Sequence, residues 1–107
     1  MENHEPILVP VDRSLAEILP AYLVNRREDA ARLAGLLERG EFETMRVLGH
    51  RMRGSGAGYG LDAISRLGER LEKAARSGSQ ADLAASVADL DAFLRRLVVV
   101  YTDDEII

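Results

Sequence analysis

The chain predicts an all-α fold, an antiparallel four-helix bundle with a short N-terminal helix and an extended N-terminal arm. Three observations carry this expectation. Apolar residues recur at spacings of three and four in four separate stretches, which gives each stretch one buried helical face. Glycines at 40, 58, 60 and 78 fall between those stretches, where helices end. The connections are short, so successive helices should be antiparallel neighbours.

Residues 1–13 read as the arm. Pro6 and Pro10 resist helix, and Ile7-Leu8-Val9 can lie as an apolar strap on the bundle. Helix signals begin at Ser14, with Glu17 three residues on as a capping box. The first stripe runs through Leu15, Ile18, Leu19, Tyr22, Leu23, Ala30, Leu33, Leu36 and Leu37. Pro20 interrupts it, so a first helix of about one turn should precede a long helix that starts near Pro20 and ends at Gly40.

The second long helix should run from Glu41 to Ala57, and the third from Leu61 to Arg76 with Ile64, Leu67 and Leu71 inward. Ser79 and Asp82 cap the last helix, whose seam is Leu83, Val87, Leu90, Leu94, Leu97 and Tyr101. Met45, Met52, Leu67, Leu71, Leu90 and Leu94 should share one core. The bundle then spans residues 14–101, and 102–107 form an acidic tail.

Composition narrows the function. A chain of 107 residues is one domain. It has no cysteine and two histidines, so neither a disulfide framework nor a thiolate zinc site is available, and no metal or cofactor is expected. A net charge of −4, two Phe, three Tyr and no Trp argue against nucleic-acid binding. No apolar run reaches the roughly 18 residues of a membrane span, and the N-terminus lacks the pattern of a secretory signal. The expectation is a cytoplasmic monomer.

His50 is the residue that composition does not explain. With Met45 at the centre of the buried face and 100° per residue, Leu48, Gly49, Met52, Gly56 and Tyr59 fall on the core side. His50 falls on the opposite side with Val47, Gly54 and Ala57. Its surface neighbours at i+3 and i+4 are Arg53, a cation, and Gly54, which has no side chain. Neutral imidazole is a nucleophile, and an adjacent guanidinium can offset the roughly −1.5 to −2 charges of a phosphoryl group. Glycine inside a helix costs about 1 kcal/mol relative to alanine. Gly54 on the outer face is therefore best read as room for a partner to approach.

The run His50-Arg51-Met52-Arg53-Gly54-Ser55-Gly56, followed by Gly60-Leu61, resembles the motif of the histidine-containing phosphotransfer (HPt) domains of two-component relays, approximately H-x-L-K-G-S-S. Met52 stands for the Leu, Arg53 for the Lys, and Gly56 for the second Ser. Tyr22-Leu23-Val24-Asn25-Arg26-Arg27 is similar to a segment of stand-alone members, and the likeness covers roughly residues 12–101.

The resemblance implies a phosphocarrier, not an enzyme. His50 would accept a phosphoryl group from a receiver-domain aspartate or a relay kinase and pass it to another response regulator. Arg53 and Ser55 would stabilise that group. Gly54, Val47 and Ala57 would form the docking centre, with Arg46 and Arg51 at its rim. Partners would be a response-regulator receiver domain or a hybrid histidine kinase, and magnesium with its catalytic carboxylates would belong to the receiver. The alternative is a phosphorylation-independent helical module that binds and modulates a kinase or receiver, for which His50 and Arg53 would be dispensable. Arg66, Arg70 and Lys73 form a basic row interleaved with Glu69 and Glu72, expected to be a solvated, ion-paired face.

Overall fold

The expected arm is a β-strand, and it has a partner at the other end of the chain. In this computed structural model, which describes residues 4–103, β1 (Ile7–Asp12) pairs in parallel with β2 (Leu97–Thr102), from Ile7 opposite Leu97 to Asp12 opposite Thr102. Residues 1–3 and 104–107, the start of the expected arm and most of the expected tail, lie outside the described residues. Between the strands run α1 (Leu19–Glu38), α2 (Phe42–Ser55), α3 (Asp62–Ser77) and α4 (Gln80–Arg96). Each helix packs on the next and α4 packs on α1, so the four form a ring around one core. Met45, Met52, Leu71, Leu90 and Leu94 are buried in that core, and Leu67 is half-buried at its edge. Among the described residues, no helix is long and apolar enough to cross a membrane.

The fold is thus mostly helical, and the all-α expectation is corrected at the last seam. Leu97 and Tyr101 continue the spacing of α4, but α4 ends at Arg96. Leu97-Val98-Val99-Val100-Tyr101-Thr102 is a β-branched and aromatic run, which suits a pleated surface better than a helix. β1 offers it a backbone to pair with. Burial then follows the strand period, with Leu97 buried, Val99 and Tyr101 half-buried, and Val98 and Val100 exposed. Ile7, Val9 and Val11 face the core from β1, while Leu8 points outward. The strap expectation holds in position and needs a sheet to hold it.

The helix ends follow their local chemistry. Arg13–Leu15 make only a single 3-10 turn, capped by Asp12, whose carboxylate accepts from the Ser14 amide at 2.8 Å. Ser14 is therefore inside the turn, and the Ser14–Glu17 box does not form. Pro20 occupies the first turn of α1, where its missing N–H leaves nothing unsatisfied. Gly40 and Gly78 take positive φ of 69° and 70° after α1 and α3. Ser79 caps α4, its hydroxyl accepting from the Asp82 amide at 3.2 Å.

Candidate functional site

The contact between α2 and α3 is set by two glycines. A Cβ on Gly49 would lie 2.7 Å from the Glu72 amide nitrogen, and one on Gly68 would lie 2.6 Å from that of Arg53. No side chain fits between these backbones, so the helices touch main chain to main chain. That approach brings a residue of α3 beneath the exposed face of α2. Glu72 has a side chain only 1% exposed, yet it reaches His50, whose side chain is 59% exposed.

Glu72 organises everything around the imidazole. Its Oε2 lies 3.0 Å from His50 Nδ1 and 3.1 Å from an Arg76 terminal nitrogen, and its Oε1 accepts from Arg53 at 2.9 Å. Burial pushes the Glu72 carboxyl up. The hydrogen bond from His50 and the charges of Arg53 and Arg76 outweigh it and hold the group below the ordinary glutamate range. Glu72 is therefore a carboxylate, which only accepts hydrogen bonds, so the proton between the two residues sits on His50 Nδ1. In the neutral ring, Nε2 then carries the lone pair on the solvent side.

The cations beside the His50–Glu72 pair come from two helices. Arg53 follows His50 by one turn on α2, and Arg76 is one turn beyond Glu72 on α3. Arg46 lies a turn before His50. Its guanidinium is held charged first by Glu43, 2.7 Å away, and in smaller part by Glu72. Gly54 has nothing within 4 Å of its notional Cβ, so the surface one turn past the imidazole is open. An exposed imidazole held by a carboxylate that also binds Arg53 and Arg76, with open surface at Gly54, is suited to receive a small anionic group.

The other expected site residues fall in three places. Arg53, Gly54 and Arg46 share the His50 surface. Val47 and Arg51 line a shallow groove of about 240 Å³ with Arg32 of α1, and Ala57 is exposed just past α2. Ser55 points elsewhere. Its hydroxyl is 2.7 Å from that of Tyr22, which ties the end of α2 to α1, and Tyr22 also stacks on Tyr59 at 3.9 Å under the Arg26 guanidinium.

Glu72 and Arg76 were missed as site residues. The expectation that Glu72 pairs with the neighbouring basic row on a solvated face is corrected. Lys73 pairs with Glu69 and Arg70 with Asp89 of α4, while Glu72 turns inward. A signal existed in the spacing. Glu72 is four residues from Gly68 and three from Ala75, both buried, so it lies on the inner stripe of α3. A carboxylate on an inner stripe needs polar partners, and the facing helix supplies them.

The family model described as the Hpt domain matches residues 17–99. No curated protein and no solved structure matches the chain. The matched stretch takes in all four helices and ends inside β2, and it contains His50, Arg53, Glu72 and Arg76. The chain therefore belongs to the Hpt domain family, whose members carry phosphoryl groups in two-component signalling.

Proposed function

We propose that His50 is the phosphoryl acceptor, taking the group from the aspartyl phosphate of a receiver domain or from a relay kinase and passing it to another response regulator. The observation that supports this best is the hydrogen bond between Glu72 Oε2 and His50 Nδ1. It leaves Nε2 as the free nucleophile, on the side that a partner can reach.

The transfer itself needs little from this chain. A bond forms from His50 Nε2 to phosphorus, the bond from phosphorus to the donor aspartate oxygen breaks, and the donor recovers its carboxylate. The ring proton stays on Nδ1 beside Glu72, whose charge offsets the positive charge that develops on the imidazole. Arg53 and Arg76, both bonded to Glu72 beside the ring, supply positive charge against the incoming group, while the magnesium and carboxylates that in-line transfer requires are expected on the receiver. The onward step is the same reaction reversed. This makes the protein a carrier.

The test is transfer of labelled phosphoryl from a phosphorylated receiver domain. Wild type should become labelled and His50→Gln should not. Label on the His50→Gln protein would move the acceptor elsewhere. Full pathway output from that variant without label would favour the phosphorylation-independent module instead.

A further inference from the structure

We propose that the groove between α3 and α4 is a docking site for an acidic amphipathic helix of a partner protein. The groove has a volume of about 480 Å³. Its floor is apolar, formed chiefly by Leu67, Phe93 and Ile7, and Arg66, Arg70 and Arg96 stand along its rim. The one carboxylate among its lining residues, Asp89, is paired with Arg70 at 2.9 Å. Arg96 donates through Nε to the main-chain oxygen of Glu5 at 2.8 Å, and Arg66 has no ion-pair partner among the described residues. A chain with a net charge of −4 thus gathers three guanidinium groups against one acid at a single apolar trough.

That charge reversal defines the occupant. An apolar floor with a cationic rim complements a helix that has a leucine-like stripe flanked by Asp and Glu, the pairing used when a helix lies in a groove. The groove follows two turns of α3 and two of α4, and a second hollow shared through Arg70 extends it toward Lys73. A helix of about three turns, roughly ten residues, fits that length. Arg66, the member of the basic row at 66, 70 and 73 that has no ion pair among the described residues, thereby gains a purpose.

The groove and the His50 surface are on different sides of α3. Gly68 and Glu72 face α2, whereas Leu67 and Arg70 line the groove against α4. Both sites can be filled together. A partner held in the groove would raise the effective concentration of its own receiver at His50 without touching the imidazole.

The test titrates an acetylated, amidated 14-residue peptide, with Leu at i, i+3, i+4 and i+7 and Glu at the outer positions, into the ¹⁵N-labelled full chain. Amide shifts should be confined to α3, α4 and the start of β1. The dissociation constant should rise about tenfold in Arg66→Glu and again in Arg96→Glu, and a Lys-for-Glu peptide should not bind. Both variants replace side chains outside the core, and their helicity is checked by circular dichroism. His50→Gln should bind the peptide as wild type does, which separates this proposal from the phosphoryl acceptor assignment. No saturable shifts at millimolar peptide, or shifts centred on His50, would overturn it. So would self-association in sedimentation that Arg66→Glu relieves, which gives the groove to a second copy. Arg66-dependent binding to phosphatidylglycerol vesicles with no peptide binding would assign it to a membrane surface instead.

Discussion

Glu72 Oε2 sits 3.0 Å from His50 Nδ1, a buried carboxylate under an exposed imidazole. The pair fixes which ring nitrogen is free, and that yields a direct prediction. In wild type near neutral pH, ¹⁵N shifts of His50 should report the Nδ1–H tautomer. In Glu72→Ala the fixed proton loses its acceptor and the Nε2–H form should reappear. Phosphotransfer to His50 should fall roughly tenfold, the order of one charge-assisted hydrogen bond. An unchanged tautomer in the variant would mean that Glu72 does not orient the ring.

The same carboxylate makes stability depend on pH in one direction. Glu72 titrates below its ordinary range in the folded protein, because His50, Arg53 and Arg76 outweigh the cost of burial. Its unfolded counterpart titrates in the ordinary range. The contribution is therefore complete above that range and is lost as pH falls through the lowered folded value. The difference in urea midpoint between wild type and Glu72→Gln should shrink as pH falls below about 4.5. A gap that widens in acid would give the wrong sign.

Arg53 and Arg76 approach Glu72 on different oxygens. An incoming phosphoryl group can draw on either guanidinium. Arg53→Ala and Arg76→Ala should each shorten the lifetime of the phosphorylated protein several-fold, and the double variant should do so by more than either. Each contact is solvent-exposed and therefore worth roughly 1 kcal/mol or less. Decay of the label, followed from purified phosphoprotein, measures this. If Arg76→Ala decays as wild type does, Arg76 serves only to hold Glu72.

How much of this was legible depends on which residues carried it. His50, Arg53 and Gly54 are on one helix, so angular spacing alone brings them together on one face. Glu72 and Arg76 are on another helix, and their placement needs the packing of α2 on α3. Gly49 and Gly68 encode that packing, but only as a pair, and neither reveals its partner in isolation. The β2 segment failed for a different reason. Leu94, Leu97 and Tyr101 satisfy helical spacing and Leu97, Val99 and Tyr101 satisfy strand spacing, so the period alone does not decide. The partner strand 90 residues upstream decides it.

Gly49 couples stability to the site. A methyl group there would stand 2.8 Å from the Gly68 carbonyl oxygen and closer still to the Glu72 amide, both rigid backbone atoms. Gly49→Ala should cost about 1–3 kcal/mol as α3 is pushed away, in spite of alanine's better helix propensity. The same shift carries Glu72 from His50, so the His50 tautomer should become mixed. Chemical denaturation and ¹⁵N shifts on one sample test both. Lost stability with an intact tautomer would show that α3 moves without Glu72.

Gly54 should behave in the opposite way. It is in the last turns of α2, with nothing within 4 Å of where a Cβ would stand and no positive φ to favour glycine. Gly54→Ala should therefore stabilise the protein by about 0.5–1 kcal/mol, the usual gain at an exposed helical site. A natural sequence that forgoes this gain beside its nucleophile keeps the space for another reason. Gly54→Gln places a long side chain one turn from His50 and should slow transfer from a receiver domain by tenfold or more. Labelling by a small-molecule phosphodonor should stay near wild type, because the imidazole itself is untouched. The contrast between the two donors is the decisive measurement. Equal slowing with both would mean that glutamine disturbs His50 directly. Equal rates with both would mean that no partner surface passes over this position.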